Sequence, residues 1–221
     1  MKKLFFLCLL LIGLVVACKK ETTDPEPIKS TNNNTTPSDT MEKVIEIKTD
    51  FGSMYMWLYK GTPIHRTNFL KLADSGFFDG TTFHRCVPNF VIQGGDPNSK
   101  DIDSTNDGSG GPGYKIPAEI NTTLFKHVYG AVGAARDNNP AKESNGSQFY
   151  IVLPKAGYSG LNGNYTVFGL ILNGMEIADS IVKQPQNASN RPYVNITMDV
   201  NVVEKSRAVL RNDFHFDTFE K

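Results

Sequence analysis

Apolar and polar side chains alternate in several short segments of the chain. Ile45 and Ile47 alternate with charged residues, and the apolar positions of 54–58 alternate with the aromatic side chains between them. A period of two predicts half-buried β-strands, and Asp50-Phe51-Gly52 between these two segments predicts a hairpin. The same alternation returns at 196–202, so a further strand is predicted near the end of the chain.

Two segments have the features of helices. Thr62-Pro63 predicts an N-cap followed by proline at the first helical position, and this helix is expected to stop near Gly76. A second helix is predicted from Met175 to about Lys183, because its apolar side chains fall on one face. Further short strands are predicted around 81–86, 90–94, 131–136, 148–153 and 166–172. Many short strands with only two helices favour a closed antiparallel β-barrel, which removes exposed sheet edges.

Residues 1–17 have the features of a lipoprotein signal peptide. Lys2 and Lys3 form a short basic region, and the apolar run Leu4–Val16 is too short to span a bilayer comfortably. The run leads into Leu14-Val15-Val16-Ala17-Cys18, which resembles a bacterial lipobox. Cys18 is therefore predicted to carry lipid, with an ordinary secretory signal and an accidental cysteine as the alternative.

The segment that follows Cys18 changes sharply in composition. Residues 18–41 are rich in Thr, Asn, Pro, Ser and Glu, so we predict a lipidated N-terminus and a flexible tether. A folded domain is predicted at 42–205, followed by a tail at 206–221 that either packs on the barrel or binds a partner. Such a chain is expected to be a monomer, lipid-anchored in a bacterial cell envelope on the periplasmic face of the outer membrane or on the cell surface.

Composition narrows the possible partners and chemistry. The 221 residues include 23 acidic and 23 basic side chains, so no overall field favours nucleic acid. The histidines lack ligand spacing, and no metal is predicted. Cys8 lies in the signal peptide and Cys18 is the lipidated residue, which leaves Cys86 without a disulfide partner. Cys86 lies in an apolar strand with no activating neighbours, which favours a small buried side chain over a nucleophile.

One segment concentrates the candidate chemistry. Phe83–Pro97 places the permanent cation of Arg85 beside apolar residues, which is costly unless a polar partner meets it there. The ordinary alternative for a lone arginine in a strand is a surface charge or a structural ion pair. The segment closely resembles the active-site strand pair of the cyclophilins, the peptidyl-prolyl cis-trans isomerases, and Asn145–Tyr150 matches the same family. The resemblance runs from Glu42 to Lys205.

The resemblance implies a fold, an activity and a set of residues. The fold is mainly β, a closed eight-stranded antiparallel barrel capped by two α-helices, and no cofactor is needed. Arg85 is the expected catalytic donor, and Gln93 positions it and bonds the substrate backbone. The expected substrate contacts are Phe90, Val91, Ala135, Gln148, Tyr150, Leu161 and Tyr165.

The expected activity is rotation of X–Pro bonds in exported or envelope proteins, which assists their folding. Proline-containing polypeptides are then the substrates. A non-catalytic proline-peptide binding module or holdase is the main alternative. A structural lipoprotein that uses the barrel only as a scaffold is a further one.

Several positions depart from the family pattern. Val91 stands where the family often has methionine, which predicts a shallower pocket. Tyr150 stands where many relatives have phenylalanine, so the wall gains a hydroxyl, and Tyr165 replaces the histidine of eukaryotic members. Gly160 falls where cyclosporin-sensitive members carry tryptophan, so weak or absent cyclosporin inhibition is predicted.

The glycine-rich run 107–113 invites a phosphate-loop interpretation. It lacks the following Lys-Ser/Thr, and no strand-to-helix context surrounds it. Cyclophilins of bacterial type have a similar Gly-Gly-Pro-Gly-Tyr loop beside the active site. The run is therefore expected to border the site, with the preceding insert 98–106 as a mobile rim.

Overall fold

The structure is a computed structural model that describes residues 40–220. The predicted signal peptide at 1–17, the lipidated Cys18 and the tether up to residue 39 lie outside the described residues. Among the helices of 40–220, none has the length and apolar character that a membrane crossing requires.

The described chain is mainly β, as predicted. Its strands are β1 (Met41–Thr49), β2 (Gly52–Leu58), β3 (Thr81–Thr82), β4 (Arg85–Val87), β5 (Val91–Gly94), β6 (Lys115–Ile116), β7 (Ala131–Ala134), β8 (Ser144–Asn145), β9 (Phe149–Val152), β10 (Val167–Asn173) and β11 (Thr197–Ser206). Its helices are α1 (Pro63–Asp74), α2 (Met175–Val182) and α3 (Arg207–Asn212). The predicted strand at 81–86 is divided into β3 and β4, and β6, β8 and α3 are too short to give a recognisable period.

The strands form one large antiparallel sheet and one small one. The large sheet has nine strands in the order β3-β11-β1-β2-β10-β7-β9-β5-β4, and β6 pairs with β8. Its two end strands, β3 and β4, follow each other in the chain through Phe83 and His84. Within residues 40–220 the pairings include no ladder between β3 and β4, so closure as an eight-stranded barrel is not established. The prediction is confirmed as a mainly β fold with a curled antiparallel sheet and few helices.

Strand alternation gives the large sheet two apolar faces. Successive side chains of a strand point to opposite faces, so neighbours in sequence join different clusters. Ile92 and Ile151 are fully buried on the inner face, in one cluster with Phe69 of α1 and Ile181 of α2. The outer face carries a second cluster that includes Trp57, Tyr59, Phe125, Val152, Tyr150 and Val91. The candidate site and the C-terminal tail both lie on this outer face.

The N-terminus of α1 is capped by a distant carboxylate. Thr62 occupies the predicted N-cap position, but its hydroxyl donates to the carbonyl oxygen of Tyr59, at 3.3 Å, and accepts no N–H of the helix. Glu119 instead accepts the backbone N–H groups of Ile64, at 3.0 Å, and His65, at 2.9 Å. Its Oε2 also lies 2.6 Å from Nδ1 of His65. An anionic group is favourable at this end of a helix, so Glu119 fixes the start of α1.

The C-terminal tail packs on the outer face of the sheet. Ser206 ends β11 and caps α3, where its hydroxyl accepts the N–H of Val209 at 3.2 Å. Beyond α3, the rings of Phe216 and Phe219 lie 5.1 and 5.9 Å from the ring of Trp57, and both are buried. Of the two possibilities left by the sequence, packing on the sheet is the one that the structure shows.

Cys86 of β4 belongs to the inner cluster. Its side chain is buried, and burial raises the pKa of the thiol to about 12. The thiolate is the reactive form, so this thiol is inert at neutral pH. The prediction of a small buried side chain is confirmed.

Candidate active site

The predicted catalytic arginine begins one arm of the hairpin formed by β4 and β5. Arg85 faces Gln93 across the antiparallel register, and its Nη1 donates to Oε1 of Gln93 at 3.3 Å. The turn between the strands is closed by a bond from the N–H of Phe90 to the carbonyl oxygen of Val87, at 3.1 Å. This turn brings the Phe90 ring to 5.7 Å from Cζ of Arg85. The guanidinium is half-buried and lies against an aromatic ring.

The side-chain amides of Gln93 and Gln148 form a hydrogen-bonded chain that supports Arg85. Nε2 of Gln93 donates to Oε1 of Gln148 at 3.0 Å. Nε2 of Gln148 donates in turn to the carbonyl oxygens of Gly108, at 3.0 Å, and Gly110, at 2.8 Å. These two carbonyls fix the orientation of the Gln148 amide, which then fixes that of Gln93. The side-chain oxygen Oε1 of Gln93 therefore faces Arg85.

A cavity of about 240 Å³ opens beside Arg85 on the outer face of the sheet. It is lined by Arg85, Phe90, Val91, Gln93, Ala135, Arg136, Tyr150, Leu161 and Tyr165. All of the predicted site residues of the domain except Gln148 are therefore brought together here. Gln148 lies in the wall of an adjoining cavity of about 330 Å³, where its amide is committed to the network just described. The lining of the first cavity, within residues 40–220, holds two arginines and no carboxylate.

The hydroxyl of Tyr150 is engaged inside the protein. It lies 2.8 Å from Nε2 of His127, and Nδ1 of His127 lies 2.9 Å from Oδ1 of Asn162. The backbone N–H of His127 also donates to this Oδ1, at 2.9 Å, so Nδ1 carries the ring proton and Nε2 accepts from the tyrosine. Burial lowers the pKa of His127 and raises the pKa of Tyr150 well above its ordinary value. Both groups are therefore neutral. The bond between the Tyr150 hydroxyl and His127 fixes the position of the Tyr150 ring in the cavity wall.

The remaining wall combines an aromatic ring with a second cation. Tyr165 meets Tyr150 edge to face, with centroids 5.9 Å apart and planes at 88°. Cζ of Arg136 lies 4.9 Å from the centroid of the Tyr165 ring. Leu161 ends the short 3₁₀ helix Ser159–Leu161, and the asparagine that bonds the buried histidine follows directly. Leu161 and Tyr150 are therefore both held through His127, Leu161 by way of the adjacent Asn162 and Tyr150 by its own hydroxyl.

The glycine-rich loop beside the site is held by a buried carboxylate. Oδ2 of Asp96 accepts the N–H groups of Gly108 and of Gly110, the latter at 3.1 Å, and Oδ1 accepts that of Asn98 at 2.8 Å. A Cβ at Gly110 would lie 2.2 Å from Oδ1 of Asp96, so only glycine fits there. The N–H groups that a phosphate loop would offer to a ligand are satisfied here by the protein itself.

Three components of the site were not among the predicted residues. Arg136 directly follows Ala135 in sequence, so its place near the cavity could have been inferred from its neighbour. His127 and Asn162 are 35 residues apart, and no local pattern marks them as a pair. Their roles become visible only through their contacts with Tyr150 and with each other.

Comparison with known proteins gives an independent finding. A family model described as cyclophilin type peptidyl-prolyl cis-trans isomerase/CLD matches residues 44–202. Peptidyl-prolyl cis-trans isomerase B of Bacillus subtilis is 43% identical over 114 residues, which are 52% of this chain and 71% of that protein. The peptidyl-prolyl cis-trans isomerase of Helicobacter pylori is 36% identical over 138 residues, covering 61% of this chain and 77% of that protein.

A solved structure gives a similar result. The crystal structure of a Cryptosporidium parvum cyclophilin type peptidyl-prolyl cis-trans isomerase, determined in the presence of the dipeptide Ala-Pro, aligns with a TM-score of 0.64. Its sequence identity is 30%, and the alignment covers 72% of this chain and 98% of that one. The segment 44–202 matched by the family model contains every residue that lines the cavity beside Arg85.

Proposed function

Because the chain belongs to the cyclophilin-type peptidyl-prolyl cis-trans isomerase family, we propose that it uses Arg85 to accelerate X–Pro rotation in exported or envelope proteins. Isomerase activity itself follows from the family and from its named relatives. The assignment of roles is carried by one observation. Arg85 lines a cavity together with apolar and aromatic side chains, and that lining, among the described residues, supplies no carboxylate to neutralise it.

The reaction requires no bond to be made. The barrier to rotation about a peptide bond is about 18–20 kcal/mol, because rotation breaks the amide resonance. A donor accelerates rotation if it bonds the twisted amide more strongly than the planar one. As resonance is lost, the prolyl nitrogen regains a lone pair that can accept a hydrogen bond. A guanidinium placed at that nitrogen therefore favours the transition state over both ground states.

Arg85 has the properties that this role needs. The Gln93 amide occupies one of its N–H groups, at 3.3 Å, and orients the guanidinium toward the cavity. A guanidinium carries several N–H donors, so others are available to a substrate amide. The Phe90 ring lies against the cation and limits its contact with water, which strengthens the bond that it makes.

The apolar part of the cavity suits a proline ring. Val91 and Tyr150 are almost fully buried members of the outer-face cluster, with Leu161 packed against it. We assign the proline ring to this surface and the carbonyl of the preceding residue to the side of Gln93. The pyrrolidine is then held while the amide twists above Arg85.

The decisive test is the relaxation from cis to trans of a short Ala-Pro-Phe peptide, followed with the purified protein. Arg85→Ala should lower kcat/KM by about 10²–10³-fold, the usual effect of removing one preorganised donor. Arg211→Ala removes an exposed arginine of α3 and should leave kcat/KM unchanged. Circular dichroism checks that both variants are folded.

Two outcomes would contradict this assignment. Normal isomerisation by a folded Arg85→Ala variant would exclude the arginine as the donor. Peptide binding by the unmodified protein without any acceleration would instead favour a non-catalytic binding module or holdase.

The proposed location rests on the sequence before the domain. A lipid at Cys18 followed by the polar tether of 18–41 would hold the domain away from an envelope membrane without a transmembrane helix. Cys18→Ala should therefore move the protein from the membrane fraction to the soluble fraction. Labelling of intact cells distinguishes the cell surface from the periplasmic face. Membrane association that persists in Cys18→Ala would contradict the anchor.

A further inference from the structure

We propose that Arg136 determines substrate specificity by favouring peptides that carry an acidic side chain within two residues of the proline. This inference rests on the proposed function, because it takes the cavity beside Arg85 as the proline site. It concerns the choice of substrate and not the chemistry of rotation.

The guanidinium of Arg136 is held in place by uncharged groups. Nε donates to the carbonyl oxygen of Asn164 at 2.8 Å, and Nη1 donates to that of Asp137 at 2.8 Å. The Tyr165 ring lies under the same group, with its centroid 4.9 Å from Cζ. These contacts fix the position of the cation and leave its charge uncompensated.

The neighbouring carboxylate is already occupied. Oδ2 of Asp137 pairs with Nζ of Lys115 at 2.7 Å, and Oδ1 accepts from Nδ2 of Asn139 at 2.6 Å. Among the ion pairs of residues 40–220, Arg136 takes part in none. A full positive charge therefore stands at a fixed point of the wall.

Arg136 is shared by the two adjoining cavities. Gln93 and Ala135 are the other residues common to both linings. A peptide whose proline lies beside Arg85 must pass this shared wall to reach the second cavity. The charges in that cavity come from Lys115, Arg136 and Asp137, so it also carries an excess of positive charge.

An acidic side chain beside the proline would meet this field, whereas a basic one would be repelled. The effect should be modest, because Arg136 is only half-buried. Pairs of partly exposed charges give a preference of about two- to fivefold. The preference should decrease toward unity in about 1 M salt, where the screening length is roughly 3 Å.

The test uses Glu/Gln peptide pairs, which differ in charge and hardly in size. Tetrapeptides of the Ala-Ala-Pro-Phe type carry Glu or Gln at either position before the proline or at the position after it. At one of these positions, kcat/KM should be about two- to fivefold higher for Glu. Arg136→Gln should bring that ratio to about one, and Arg136→Lys should retain most of it.

Lys48→Gln is the matched control. It removes one positive charge at an exposed position of β1. In the order of the sheet, β1 lies three places from β7, the strand that leads to Arg136, so the ratio should be unchanged. A ratio that persists in Arg136→Gln, or that falls equally in Lys48→Gln, would overturn the proposal. Binding of the same peptide pairs, measured by calorimetry, separates the two proposals: a charge preference in binding without isomerisation would contradict only the proposed function.

Discussion

The outer face of the sheet contains two aromatic regions, each with an arginine against a ring. At β1 and β2, the tail covers Trp57, and Arg207 lies 4.7 Å from the ring of Phe219. Nε of Arg207 donates to Oε1 of Glu42 at 2.9 Å, so this cation is neutralised. At β4 and β5, Arg85 lies 5.7 Å from a ring and bonds only a neutral amide among the described side chains.

The two regions differ in whether the aromatic surface is covered and the guanidinium is neutralised. Both regions combine aromatic surface with a guanidinium, but the chain covers and neutralises only one of them. At the covered region these groups satisfy each other, so their contacts contribute to stability. At the open region the aromatic surface and the N–H donors are left for a ligand, which is why we propose that the same kinds of residue serve binding and catalysis there.

Truncating one ring in each region should separate stability from activity, and this is the largest effect that we expect. Phe216→Ala should lower the free energy of unfolding by about 3–5 kcal/mol, because it opens a cavity beside Trp57. Its kcat/KM should remain within about twofold of the unmodified value. Phe90→Ala truncates a half-buried ring of the open region, so it should lower kcat/KM and change the free energy of unfolding little. Urea denaturation and the peptide assay measure the two effects, and equal loss of activity in both variants would refute the separation.

Giving Arg85 a carboxylate should make the open region resemble the covered one. Gln93→Glu places an anion where the neutral amide bonds Arg85, much as Glu42 bonds Arg207. The carboxylate should occupy the donors and lower kcat/KM by about ten- to a hundredfold, which is about 1.4–2.7 kcal/mol. Gln184→Glu makes the same change of charge near the end of α2 and should have no such effect. Unchanged isomerisation by a folded Gln93→Glu variant would mean that neutralisation of Arg85 is not what separates the regions.

The smallest effect should appear as a dependence of stability on pH. Burial lowers the pKa of His127 in the folded protein, so the unfolded chain binds a proton first as the pH falls below about 6.5. His127 therefore contributes stability above that pH and loses it as the pH falls toward its folded pKa. Urea denaturation at pH 7 and 5.5 should show that His127→Gln flattens this decline by at most about 1.3 kcal/mol.

The outcome that would contradict this prediction is a full decline in the variant. If a folded His127→Gln variant lost as much stability between pH 7 and 5.5 as the unmodified protein, the burial of His127 would not be the cause.

Local sequence predicted the strands, and the resemblance to the cyclophilins supplied most of the residues of the candidate site. The period of two placed alternate residues on opposite faces, and the β4–β5 segment carried the arginine, the aromatic ring and the glutamine within a few positions. These features depend on neighbours in sequence, which is why a single chain reveals them. The glutamine at 148 was also identified, but its bonds to Gly108 and Gly110 moved it from the cavity into the supporting network.

The remaining features depend on contacts between distant residues. Glu119 reaches a helix 54 residues away to accept from His65, and nothing in its own segment marks it as a cap. The short strands β6 and β8 exist because they pair with each other, since two residues carry no period. The direction of the Arg136 side chain likewise depends on the Tyr165 ring and on the carbonyl oxygen of Asn164, 28 residues away.

The pairing of β1 with β11 has a consequence for the order of folding. It joins Met41 to Ser206, and the Glu42–Arg207 bond beside it links residues 165 positions apart. Contacts at such separation form slowly, because a long loop must close before they contribute. Until β11 has been synthesised, β1 and β3 each present an unpaired edge, which is a template for aggregation. This isomerase of X–Pro bonds can therefore complete its own sheet only after β11 has left the ribosome.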